Sequence, residues 1–291
     1  MDNMKFYRTG EFQEDILARE IEVEPLKWIE KEQLKRLDYL LGYIKRNHPE
    51  KLLVFVENLN NKYKNLLTNI GKEGQKIDFG INYRDFSNLQ EFPILAEGIV
   101  SYIFKTLGLV EDYKTVENKT KVLNSAYLKS FLHPRYFNLE TLIMILERKE
   151  AINFYKKFGT QYLIDTQTPE EPFIDLETLL EKRITNRQEP PSAWVMLHGM
   201  LAEGKYAYRN DNCLWVNVLQ DLPDKEIKYY VCCYGDYQAA KSYYNENIIL
   251  TMEHTIAQGD PYCSRVLHDT RIDWDLRHPP KKFWDELKSN K

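Results

Sequence analysis

The residues most able to do chemistry are four cysteines, Cys213, Cys232, Cys233 and Cys263, all of which lie beyond Asn212 in a chain of 291 residues. Four thiols are too few for a disulfide scaffold, and this clustering is unusual for cysteines used only as core filler. A thiol can act as a nucleophile, as a metal ligand or as a small buried apolar group, and each use needs different neighbours. Cys233 and Asp236 are spaced i, i+3, so on a helical turn they share a face where the carboxylate can manage a proton. A carboxylate does not lower a thiol pKa. Thiolate activation calls for a cation, and His254 and Arg265 are the candidates nearest in sequence to Cys263.

Other readings of the same residues stay open. Cys213, Cys233, Cys263 and His254 together form a Cys3His set of ligand types that a tetrahedral zinc accepts, although no Cys-x-x-Cys pair is present. In a strand over 248–256, His254 shares a face with Met252 and Glu253 points the other way. His254 and His198 are each either a ligand or acid–base group, or a satisfied core imidazole. Asp260, between Gly259 and Pro261, is first of all a turn residue bonding its own backbone. The 20 tyrosines, grouped at 206/208, 229/230/234/237 and 243/244, supply packing and, at some positions, hydroxyls that orient a polar ligand.

The elements that position these residues follow from periodicity. From residue 12 to about 182, apolar positions recur at helical spacing: Leu26, Ile29, Leu34, Leu37, Leu40, Leu41 and Ile44 form one stripe. Helices are expected at 50–68, 88–107, 116–131 and 138–158, with breaks in the glycine-rich 71–80 segment and at His133-Pro134-Arg135, and with Asn138 as an N-cap. Residues 166–172 read as a loop, 175–182 as a helix and 186–192 as a Pro-Pro linker. Beyond it, 194–197, 206–208 and 214–219 read as strands. Residues 228–244 read as a short strand or loop leading into a helix, and 248–256 with 263–267 as a hairpin closed by Gln258-Gly259-Asp260-Pro261. The fold class is therefore α+β: a mostly helical domain, 1–188, followed by an α+β domain, 193–291, with an antiparallel sheet and packed helices.

Composition narrows the function classes. Hydrophobic residues make up 43% and charged residues 29%, as in a globular protein. A formal net charge of -4 carries no basic excess of the kind that binds phosphate backbones, so no nucleic-acid partner is expected and a small-molecule substrate fits better. No window approaches the ~18 apolar residues of a membrane span, and residues 1–13 lack the apolar core of a secretory signal. No membrane partner and a cytoplasmic location are expected.

Cys213-Leu-Trp-Val, then Cys233-Tyr-Gly-Asp236, then the run from Glu253 to Cys263 resembles the L-2-amino-thiazoline-4-carboxylic acid hydrolase family and, more distantly, the 4-vinyl reductase domain. The resemblance spans 193–269, about a quarter of the chain. It departs at Ser264-Arg265-Val266 and at His254, where the hydrolase pattern tends to place other residues, and at Thr255, where the reductase-type domain tends to carry a cysteine. These departures sit at the expected site and bear on the substrate more than on the fold.

The resemblance implies a hydrolase acting on a C–N or C=N bond of a small sulfur- or nitrogen-containing metabolite. Water would add across a cyclic thioimidate, with a nucleophile or activated water and an acid for the ring nitrogen or leaving sulfur. Cys233, Asp236, Cys263 and His254 are the expected catalytic residues; Tyr234, Tyr237, Asp260, Arg265 and His198 are the expected substrate contacts. The competing expectation is a binding or sensor module resembling the 4-vinyl reductase domain, with zinc on the cysteines. In the hydrolase reading the helical half would cover the pocket or mediate formation of a homodimer.

Overall fold

The computed structural model describes residues 4–10, 14–68, 81–109, 119–167, 175–185 and 195–288. The glycine-rich segment 71–80, the linker 186–192 and most of the loop at 166–172 lie outside these residues. Contacts divide the chain into two compact units, Leu17–Phe158 and the pair of segments Met1–Ile16 and Gly159–Lys291.

Strand β1 (Tyr7–Thr9) precedes the first boundary. In the unit Leu17–Phe158, β2 (Glu20–Val23) and β3 (Thr120–Leu123) form a two-stranded antiparallel sheet that periodicity did not reveal. The leucine stripe folds as expected: α1 (Pro25–Trp28) passes through a π-helical stretch, Ile29–Leu34, into α2 (Lys35–Asn47), and Ile29, Leu34, Leu40 and Leu41 are fully buried. α3 (Leu52–Thr68) and α4 (Pro93–Leu107) follow, the latter stopped by Gly108 at φ +77°.

α5 (Asn124–Ile145) corrects the expected break, because Pro134 lies inside it. An interior proline costs about 3 kcal/mol. Its neighbours Leu132, Tyr136, Phe137 and Leu139 are all buried, each contributing roughly 1.5–3 kcal/mol of burial that offsets the loss. Asn138 is therefore a buried mid-helix residue and not a cap. His133 bonds Tyr102 Oη at 2.8 Å within this unit.

α6 (Arg148–Thr166) straddles the second boundary in sequence, and α7 (Leu176–Thr185) belongs with the remaining unit. That unit is built on β4 (Met196–Ala202), β5 (Lys205–Asn210), β6 (Ile248–Met252) and β7 (Cys263–Asp269). With β1 they form a five-stranded antiparallel sheet in the order β1-β4-β5-β7-β6. α7 packs on β4 and β5. Thus β1 and α7, which the sequence division assigned to the helical domain, associate with the C-terminal sheet.

One expected strand, and a stretch expected as a short strand or loop, are helices. Residues 214–219 begin with α8 (Leu214–Asn217), and Leu214, Val218 and Leu219 are buried at helical spacing. Tyr229-Tyr230-Val231 lies in α9 (Lys225–Cys232), because Asp224 caps the N-terminus by accepting from the Glu226 and Ile227 amides at 3.0 and 3.1 Å. That cap outweighs the β-propensity of the aromatic run. α10 (Asp236–Tyr243) follows directly.

The hairpin is present, but β6 stops at Met252 and the connection contains a 3-10 turn, Ile256–Gln258, ended by Gly259 at φ +102°. Past Asp269 the chain folds back onto the sheet. α11 (Lys281–Glu286) buries Trp284 completely, and its indole donates to Pro279 O at 3.0 Å. Among the described residues no helix is long and apolar enough to cross a membrane.

Candidate active site

Strand alternation sorts β7 into two faces. Cys263, Arg265 and Leu267 point to the side covered by α7, α9 and α10; Ser264, Val266 and His268 point away. Antiparallel pairing sets Asn210 opposite Cys263 and Tyr208 opposite Arg265. α9 ends at Cys232, and the Asp236 amide donates to Cys233 O at 3.0 Å, a turn that brings Cys233 and Asp236 to the same wall. Cys213, just ahead of α8, completes the wall.

These residues line one cavity of about 270 Å³, together with Arg183, Asn210, Trp215 and Tyr244. Its lining includes an ion pair: Arg265 Nη2 donates to Asp236 Oδ2 at 2.9 Å. A second cation, Arg183, donates to Tyr206 Oη at 2.8 Å and Tyr244 Oη at 2.9 Å. The two guanidinium carbons lie 5.1 and 5.8 Å from the Tyr208 ring centroid, within cation–π range.

The electrostatics follow from burial. Desolvation raises Asp236 above its ordinary carboxylate value, opposed by the charge and hydrogen bond of Arg265. Although its titration is dominated by burial, the Asp236 side chain keeps 40% of its accessible surface, which opens into the cavity. Burial also pushes up the thiols of Cys233, Cys263 and Cys213, that of Cys233 well above the usual range, while Arg265 pulls each of them back. The Cys263 sulfur also accepts the Ile256 amide at 3.3 Å. Cys233 and Cys263 are each only 2% exposed, whereas Cys213 is half-buried.

Two buried polar atoms on the cavity-lining residues have no hydrogen-bond partner among the described residues, the donor Nε of Arg265 and the acceptor Oδ1 of Asn210. Buried polar atoms are normally paired, so these two are suited to a ligand carrying both an acceptor and a donor. A cavity of this size takes a small metabolite.

Residues 144–266 match the model of the L-2-amino-thiazoline-4-carboxylic acid hydrolase family. No curated protein and no solved structure matches the chain. The segment similar to these hydrolases contains every residue lining the cavity except Leu267. It begins near the end of α5, well upstream of the 193–269 stretch in which the resemblance is visible by eye, and it stops before His268 and the folded-back tail.

Cys213, Cys233, Asp236, Cys263 and Arg265 are thus brought together. His254 is not: its Nδ1 bonds Ser264 Oγ at 2.9 Å on the opposite face. The expected alternation fails there because β6 ends two residues earlier, releasing Glu253 and His254 from the pleat. The Cys3His zinc set is not assembled either, since among the described residues only Glu253, His254 and His278 bring three ligand atoms within 4.8 Å.

Asp260 bonds the Thr255 amide through Oδ2 at 2.7 Å, the turn role its neighbours suggested. The Tyr234 and Tyr237 rings pack at a tilt of 56° with centroids 5.7 Å apart, and Tyr237 Oη lies 3.2 Å from Tyr229 Oη, off the cavity wall. His198 is fully buried on β4, and neither ring nitrogen is bonded among the described residues. Sequence reasoning missed Arg183 and Asn210. Arg183 meets its tyrosines only through the fold, and no local pattern marks it.

Proposed function

We propose that the cavity hydrolyses a C–N or C=N bond of a small sulfur- or nitrogen-containing metabolite. The observation that carries this reading is the Asp236–Arg265 pair at 2.9 Å on a wall of thiols, within the segment similar to the hydrolase family. A carboxylate raised by burial is a stronger base than a free one, and the adjacent guanidinium keeps it ionised. Water held at Asp236 gives up a proton to it and adds to the C=N carbon. The same carboxyl returns the proton to the ring nitrogen or to the leaving sulfur as the ring opens, so the net change is the addition of one water.

Accessibility favours water over a thiol as the nucleophile. Asp236 presents 40% of its side-chain surface, against 2% for Cys233 and Cys263, and burial keeps both sulfurs protonated. The unpartnered Arg265 Nε and Asn210 Oδ1 suit a substrate with a carboxylate and an amine. A second reading, attack by Cys263, is favoured by the pull of Arg265 on that thiol. The test is incubation with cyclic thioimidates and amidines, beginning with L-2-amino-thiazoline-4-carboxylate, scoring by mass spectrometry for substrate plus one water. Turnover of none of them would overturn the reading.

A further inference from the structure

The sheet face away from the cavity carries a continuous polar chain. Asp273, held by Lys205 at 3.2 Å, faces His268 Nδ1 at 2.6 Å. Thr251 Oγ1 lies 2.8 Å from His268 Nε2 and 3.0 Å from His278 Nδ1. Ser264 Oγ then lies 3.0 Å from His278 Nε2 and 2.9 Å from His254 Nδ1, and it accepts the His254 amide at 3.2 Å.

One hydroxyl has one proton to give, so the hydrogen-bond pattern assigns every tautomer once Asp273 is ionised. Asp273 accepts from His268 Nδ1–H, which leaves His268 Nε2 to accept from Thr251. The Thr251 oxygen accepts from His278 Nδ1–H, which leaves a lone pair on His278 Nε2. Ser264 donates to that lone pair and accepts both N–H groups of His254, which leaves a lone pair on His254 Nε2.

We propose that Glu253, His254 and His278, whose ligand atoms lie within 4.8 Å of one another, bind one divalent transition-metal ion of the zinc type. Two neutral imidazoles and a carboxylate make a three-ligand set with a position left for water. The second nitrogen of each ring is anchored, His278 by Thr251 and His254 by Ser264, as metal-ligating histidines ordinarily are. On binding, the ion takes the lone pair to which Ser264 now donates, while Ser264 keeps the two N–H groups of His254. Glu253 is exposed and both histidines are part-exposed, so the ion can enter from solvent. His278 lies in the folded-back tail and the other two in the hairpin connection, so the ion would fasten one to the other.

The test uses the full chain, stripped with a chelator and titrated with Co2+ and with Zn2+. The expected result is one equivalent bound, visible d–d bands without a thiolate charge-transfer band, and a higher Tm. Glu253→Gln, an exposed position that leaves the fold intact, and His278→Gln should each weaken binding at least tenfold. Thr251→Val should weaken it about 10–100-fold by freeing the His278 ring, and Cys263→Ser should leave metal binding unchanged. Absence of stoichiometric binding, a thiolate band, or undiminished binding by Glu253→Gln would each overturn the proposal. Should His278→Gln fail to fold, Glu253→Gln decides alone.

Discussion

Arg265 on β7 reaches Asp236 at the start of α10 across 2.9 Å, joining the sheet to the helical layer in the lining of the cavity. One guanidinium thereby does two things: it opposes the burial that raises the Asp236 carboxyl, and it pulls on three neighbouring thiols.

Asp236→Asn removes the proton carrier while keeping its shape. Turnover should fall about 10²–10⁴-fold, and Tm should fall as well, because asparagine leaves the buried Arg265 guanidinium without its counter-charge. In the wild type, kcat should fall with decreasing pH through an apparent pKa above the ordinary 3.8 of an aspartate. The raised folded value has a defined sign for stability: the contribution is present below 3.8 and lost as pH rises through the folded pKa. Asp236→Asn should therefore gain in relative Tm toward neutral pH.

Arg265→Met leaves Asp236 without its cation. Breaking a fully buried pair costs about 3–5 kcal/mol; here the Asp236 side chain is 40% exposed, so the expected loss is smaller, about 1–2 kcal/mol by denaturant titration. Turnover should fall as in Asp236→Asn, and the pH profile should shift upward because the carboxyl has lost its counter-charge.

His198 has no exposed surface and, among the described residues, no partner for either ring nitrogen, and burial reinforced by Arg183 lowers it from 6.5 to about 4. A depressed histidine pKa contributes stability that is present above 6.5 and lost as pH falls toward the folded value, at about 1.4 kcal/mol per unit. His198→Phe should leave Tm unchanged or raise it at pH 7, and raise it more at pH 5. A large loss at neutral pH would contradict this.

A Cβ at Gly199 would collide with the Lys5 carbonyl oxygen and lie 3.3 Å from Phe6 Cα, so Gly199→Ala must push away the strand that pairs with β4. The expected cost is about 1–3 kcal/mol in thermal unfolding, with faster proteolysis near the N-terminus. Gly159→Ala, which meets nothing within 4 Å, should be neutral or stabilising.

What was legible in the sequence traces to local rules. Cys263 and Arg265 share a face because a strand alternates, and Cys233 and Asp236 share a wall because a turn follows a helix end; the ordered run of these residues also carried the family resemblance. What was hidden depended on distant partners. Arg183 bonds tyrosines 23 and 61 positions away, and β1 joins the sheet through β4, far along the chain. Pro134 and the tyrosine run of α9 misled because burial and an aspartate cap outweigh propensity there. His254 was placed by extending β6 past Met252, where pairing actually stops.

The central claim is that Asp236 activates water in this cavity, and it is tested most directly by comparing wild type, Asp236→Asn and Cys263→Ala on L-2-amino-thiazoline-4-carboxylate under single-turnover conditions. The account predicts a ring-opened product from wild type, a loss of at least a hundredfold in Asp236→Asn, and a rate within tenfold of wild type in Cys263→Ala. Equal rates in wild type and a folded Asp236→Asn would contradict it.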